Sequence, residues 1–314
     1  MPNIEKVEHH IDVSAPADGI YRLIAEVENW PQIFPPTIYV ERTAVGDDAR
    51  QERIRIWATA NGEAKSWSSR RVLERDQRRV EFRQEVSAHP IATMGGTWII
   101  EPLSSTESRI RLLHDYSAID DDQASLEWIR RAVDENSRSE LAALKKNIEH
   151  ATAATERLFS FVDTVEMRAS AKDVYDFINE ADRWSERLPH VARVNLEQDD
   201  KGLQTLEMET RAKDGSTHLT KSYRVCLPHE KIAYKQITLP ALMELHTGVW
   251  RFQEHAKGVT VSSQHTVIIK AENIQSILGS TATLAQAREY VHSALSTNSR
   301  ATLGHAKSYA ESRY

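Results

Sequence analysis

The chain has 314 residues, 40% hydrophobic and 27% charged, with a formal net charge of −6; this is globular composition, long enough for two domains of about 150 residues. The negative balance argues against a nucleic-acid binder, no apolar run nears the ~20 residues of a membrane span, and the acidic N-terminus lacks signal-peptide character, so a cytoplasmic location is expected. Cys226 is the single cysteine, which excludes disulfide frameworks and cysteine-based zinc sites within one chain and reads as a small core hydrophobe.

Residues 5–14 alternate as a strand, with Val7, His9, Ile11 and Val13 on one face. Ser14 to Asp18 supply an N-cap and an acidic first turn, and Ile20, Leu23, Ile24 and Val27 mark a helix that Trp30-Pro31 should end. Strands follow over roughly 38–45, 51–60, 65–74, 79–88, 96–103 and 108–118, joined by short polar turns such as Asn61-Gly62. Gly95-Gly96 reads as a bulge or sheet bend. A long helix over about 123–150 closes the half, with Leu126, Ile129, Val133, Leu141, Leu144 and Ile148 at helical spacing.

The same order then repeats: strand 161–168, helix 171–181, strands across 191–270 and a final helix at 284–310. Ser69-x-Arg71 recurs as Ser222-x-Arg224 and Asn61-Gly62 as Asp214-Gly215, both at an offset of 153 residues. Trp30 pairs with Trp184, Trp98 with Trp250, His114 with His265, and Asn136-Ser137-Arg138 with Asn298-Ser299-Arg300. The chain is a tandem duplication, with domains expected at 1–152 and 153–314. Each half is an α+β unit: a curved antiparallel sheet of seven strands wrapped around one long C-terminal helix, with a cavity between them. The alanine- and threonine-rich stretch near 150–160 is free of glycine and proline and is able to continue the long helix.

Residues two apart on a strand share a face, so Trp67, Ser69 and Arg71 point one way. Either that face is the cavity, where a guanidinium needs acceptors or a polar ligand, or it is the outer surface. Trp30 and Trp98 suit aromatic walls, and Ile110, Leu112, His114 and Tyr116 share a face. Metal-ligand spacing, glycine-rich phosphate loops and a nucleophilic serine elbow are missing. Arg70-Arg71, Arg78-Arg79 and Arg130-Arg131 read either as solvated surface or as a rim that docks an acidic carrier protein.

Trp30-Pro31, Trp67-x-Ser69-x-Arg71, Trp98 and Asn136-Ser137-Arg138 together resemble the aromatase/cyclases of bacterial type II polyketide biosynthesis, in the START-like, helix-grip superfamily, and the two-copy layout resembles their didomain branch. The resemblance implies two short helices after the first strand, no cofactor, and the other synthase components as partners. The implied substrate is a poly-β-ketone thioester on an acyl carrier protein, closed by an intramolecular aldol step and then dehydrated, with C7–C12 closure favoured over C9–C14. Arg71, assisted by Ser69, would stabilise the developing oxyanion, and His114, Tyr116 or a bound water would move protons. Trp30, Trp67 and Trp98 would orient the chain. Lys65 and Thr37 stand where single-domain members carry a tryptophan and a tyrosine, which makes Tyr39 a candidate substitute. Ser222, Arg224, Trp184, Trp250 and His265 would line a second pocket. Thr220 replaces the tryptophan there, so that pocket is expected to be partly degenerate and catalysis is expected in the first half. The rival reading is a non-catalytic helix-grip carrier of a lipid, quinone or finished polyketide.

Overall fold

The computed structural model describes residues 3–44, 48–60, 63–149, 156–199, 202–211, 215 and 217–313. The Asn61-Gly62 turn, Asp214 and most of the inter-repeat stretch lie outside them. The chain divides into two compact units, Met1–Thr152 and Ala153–Tyr314.

In the first unit β1 (Glu5–Val13) leads to α1 (Ala17–Ala25), and then to α2 (Trp30–Ile33). Trp30-Pro31 was expected to end the first helix, but it opens the second. Proline near a helix N-terminus lacks only a donor that would have no intrahelical partner. The expected N-cap is also absent, because Pro16 occupies that position. The strands β2 (Thr37–Ala44), β3 (Gln51–Ala60), β4 (Glu63–Glu74), β5 (Arg79–Gln84), β6 (Ile91–Pro102) and β7 (Ser108–Ala118) form a meander that β1 joins along β7, in the order β1-β7-β6-β5-β4-β3-β2. The helix α3 (Gln123–Glu149) lies on its inner face, burying the apolar stripe from Leu126 to Ile148.

The second unit repeats the topology with β8 (Leu158–Met167), α4 (Ala171–Asn179), α5 (Trp184–Arg187), β9 (Val191–Gln198), β10 (Leu203–Arg211), β11 (Thr217–Leu227), β12 (Lys231–Thr238), β13 (Met243–His255), β14 (Gly258–Ile269), α6 (Ile274–Leu278) and α7 (Leu284–Glu311). Its sheet order is β8-β14-β13-β12-β11-β10-β9. Here Ser170 does cap α4, accepting from the Asp173 N–H. The extra helix α6 accounts for the longer lead into α7.

Gly95 and Gly96 do not form a bulge. The irregularity in β6 falls between Ile91 and Thr93, and both glycines sit in regular pairing. A Cβ on Gly96 would lie 2.6 Å from the Phe82 ring and 2.1 Å from the Leu113 carbonyl, so glycine is what lets the Phe82 ring cross the strand. Tyr234 crosses Gly248 in the second unit in the same way. Among the described residues no helix is long and apolar enough to cross a membrane.

Candidate functional site

Register decides the first question left open by alternation. Trp67 pairs with Ile56 and packs in the apolar cluster of Val27, Val40 and Ile54, so it faces inward. Ser69 and Arg71 therefore face inward too, and Arg71 is only 2% exposed.

The buried guanidinium is held by backbone. Arg71 Nη2 donates to the carbonyls of Ile24 at 3.1 Å and Ala25 at 3.3 Å, groups at the end of α1 that lack intrahelical donors. Trp30 Nε1 donates to the same Ile24 carbonyl at 3.2 Å, and the guanidinium carbon lies 5.3 Å from the Trp30 ring centroid. Arg71 thus closes α1 onto the sheet under an indole roof. Its cross-strand partner is Glu52, 5% exposed, with Oε1 3.2 Å from Nη1 but not aligned as a hydrogen bond. Burial pushes Arg71 down to about 10, with Glu52 opposing that shift, so the group is a cation at neutral pH.

The second unit has the same clasp, and among the described residues no counter-ion pairs with it. Arg224 Nη2 donates to the Ile178 carbonyl at 2.7 Å, Trp184 Nε1 donates to the Phe177 carbonyl at 3.3 Å, and the guanidinium carbon lies 5.2 Å from the Trp184 ring. The register that brings Glu52 to Arg71 brings Gln204 to Arg224. Arg224 is 2% exposed, its Nη1 has no hydrogen-bond partner, and burial lowers its pKa from the ordinary value. It keeps its charge, because arginine does not deprotonate in this range.

Around Arg224 a cavity of about 380 Å³ opens, within the size range of small-molecule sites. All five second-half residues named from the sequence line it: Trp184, Ser222, Arg224, Trp250 and His265. Most other walls are apolar, including Leu206, Met208, Leu242 and Val291, and the exposed Ile277 and Tyr290 stand at its mouth. The half expected to be partly degenerate thus holds an open chamber. Thr220 lines the cavity where Trp67 stands in the first unit, and the loss of an indole leaves room there.

In the first unit aromatic side chains pack around Trp30, Trp98 and His114. Phe34 packs edge-on to Trp30 at 5.4 Å and lies 6.5 Å from Trp98. His114 sits against Phe82 at 5.6 Å, and its Nδ1 lies 3.4 Å from the hydroxyl of Ser137, the serine of the Asn136-Ser137-Arg138 repeat. Burial holds His114 down at about 4, so it is neutral at pH 7.

Two expected site residues are misplaced. Tyr39 pairs with Trp57 rather than with the inward set, and its hydroxyl donates to Glu41 at 2.6 Å. Its neighbour Val40 pairs inward with Ile56, so Tyr39 points the other way and does not replace the pocket tyrosine. Tyr116 faces inward but packs in a separate cluster with Met94, Leu126, Ile129 and Val133, and its hydroxyl donates to Glu5 at 3.2 Å. Desolvation and Glu5 raise its pKa. The surface arginines are paired: Arg70 with Glu85, Arg78 with Asp18 and Arg130 with Glu5.

Sequence reading missed Glu52, Tyr234, His246 and Glu140. Glu52 alternates with Ile54 and Ile56, so an inward carboxylate was legible in β3. Tyr234 and His246 stand one repeat after Phe82 and Met94 and line the second cavity. Glu140 occupies the α3 position that corresponds to the cavity residue Thr302, and burial pushes its carboxyl up to about 7.

Models of one family description, polyketide cyclase / dehydrase and lipid transport, match residues 5–149 and 167–286. The granaticin polyketide synthase bifunctional cyclase/dehydratase of Streptomyces virginiae is 57% identical over 300 residues, covering 94% of this chain and 97% of that one. The crystal structure of the di-domain ARO/CYC BexL from the BE-7585A biosynthetic pathway superposes with a TM-score of 0.90 at 59% identity, over 98% of this chain and 99% of that one. The di-domain ARO/CYC StfQ from the steffimycin pathway superposes with a TM-score of 0.88 at 31% identity, over the same shares of both chains.

Proposed function

Because the chain belongs to the di-domain aromatase/cyclases, the bifunctional cyclase/dehydratases of type II polyketide synthesis, we propose that its second-unit cavity folds and converts a carrier-bound chain. The substrate is a poly-β-ketone held as a thioester on an acyl carrier protein and offered by the other synthase components. The reaction closes the first six-membered ring by an intramolecular aldol step, with C7–C12 as the joined pair, and then removes water.

One observation carries this reading: a mostly apolar chamber lined by an arginine that, among the described residues, has no carboxylate partner and an unbonded Nη1. An aldol step builds charge on a carbonyl oxygen, and a fixed donor in a dry site stabilises it best. A guanidinium already neutralised by a carboxylate gives less of that stabilisation, so Arg224 takes the oxyanion role with Ser222 beside it. Arg71 and Ser69 keep the same frame in the first unit, where Glu52 offsets the charge. Trp184 and Trp250 wall the chain so that one carbon pair meets.

The test compares Arg224→Met and Arg71→Met in full-length protein, incubated with the minimal synthase and acyl carrier protein. Arg224→Met removes an uncompensated buried cation, so the protein should stay folded while correctly cyclised product falls by about a hundredfold. Normal product from Arg224→Met would refute the assignment.

A further inference from the structure

Resting on that reading of the second cavity, we propose that Tyr234, His246 and His265 form a proton relay that performs the dehydration. These three side chains line the cavity on adjacent strands β12, β13 and β14, and Tyr234 is the cross-strand partner of Arg224.

Hydrogen-bond partners orient the network. His246 Nδ1 lies 2.8 Å from Gln236 Oε1, an acceptor, so that nitrogen carries hydrogen and His246 Nε2 holds a lone pair. His265 Nδ1, 2.9 Å from that lone pair, carries the ring hydrogen, which leaves His265 Nε2 to accept from the Ser263 hydroxyl at 3.1 Å. The Nδ1 hydrogen also faces the Tyr234 oxygen, 3.1 Å from Nδ1. That single hydrogen has two acceptors. When the His265 N–H turns its hydrogen bond to the tyrosine oxygen, the His246 lone pair is released and the Tyr234 hydroxyl is polarised. The tyrosine oxygen is itself 3.4 Å from His246 Nε2, so a proton can pass between them. Burial holds both imidazoles neutral at pH 7, with His265 at about 4.

The first unit supplies an internal control. Its backbone is built the same way, yet Phe82 and Met94 stand where Tyr234 and His246 do, and only the histidine remains as His114. Each ring crosses a glycine, Gly96 or Gly248, that a Cβ would obstruct. The ring position is a property of the fold, while the hydroxyl and the second imidazole belong to this cavity.

The step balances within the network. His246 Nε2 takes the proton α to the ketone, and the C–H pair becomes the new C=C bond. The β C–O bond breaks, and the departing hydroxyl takes the Tyr234 proton and leaves as water. His246 then returns its proton to the tyrosine oxygen, which His265 Nδ1–H has stabilised meanwhile.

Tyr234→Phe and His246→Met copy the first unit's own residues, and both are assayed by mass spectrometry of products formed with the minimal synthase and carrier protein. Each should slow formation of the aromatic product by about a hundredfold and accumulate a cyclised product heavier by one water. Wild-type rates in both variants, with Arg224→Met inactive, would overturn the relay and leave the cavity reading intact. Normal product from Arg224→Met would instead overturn the cavity reading, and the relay with it.

Discussion

Replacing Glu52 by Gln should destabilise the first unit. Arg71 and Glu52 are 2% and 5% exposed, and removing one partner of a buried pair leaves an uncompensated charge, a cost of about 3–5 kcal/mol. Arg71 retains the Ile24 and Ala25 carbonyls and the Trp30 ring, and Arg224 persists opposite a glutamine in the same fold. Both facts place the effect at the lower end, about 3 kcal/mol. For a unit of this size, that corresponds to a fall of roughly 6–12 °C in Tm. Calorimetry of the full chain follows it, and a control pair separates charge from packing: Glu52→Leu with Arg71→Met should be close to neutral, because it removes both desolvated charges together. A shift below about 1 °C for Glu52→Gln would refute the view that Glu52 compensates Arg71. So would a double variant less stable than the single one.

Two further outcomes follow from the same geometry. The Glu140 carboxyl has a folded pKa raised to about 7 by desolvation, so its contribution is favourable below its ordinary value of 4.5 and is lost as pH rises through 7. Glu140→Gln should therefore stabilise the protein at pH 8 by about 2 kcal/mol, a figure discounted for partial exposure, and change little at pH 4. Urea unfolding at the two pH values checks this, and an equal effect at both would count against it. Thr220→Trp places in the second cavity the side chain that the first unit carries as Trp67. Product formation should fall by about tenfold or more while unfolding is little changed, because the fold accepts an indole at this register.

Much of the architecture was legible because it depends on short-range patterns. Alternation located the strands, helical spacing located the stripe of α3, and the recurrence of Ser-x-Arg exposed the duplication. Errors arose where register or packing decides. Tyr39 turns outward because its neighbour Val40 pairs inward with Ile56, and Trp30-Pro31 opened a helix because proline suits its first turn. The polarity of the pocket could not be read from Arg71 and Arg224 alone, since the residue opposite each, Glu52 or Gln204, comes from a neighbouring strand.

The sequence by itself determined that there are two copies of one helix-grip unit, that both keep the Ser-x-Arg strand and the tryptophan after the first helix, and that they differ by Trp67 against Thr220. That the second copy holds an open chamber became visible only in the tertiary structure. A lost indole reads as degeneracy in a string of residues and as volume in a closed sheet. A carboxylate or an amide opposite the arginine becomes visible only when cross-strand pairing brings Glu52 or Gln204 to it, because electrostatic compensation depends on distance in space, not on separation along the chain.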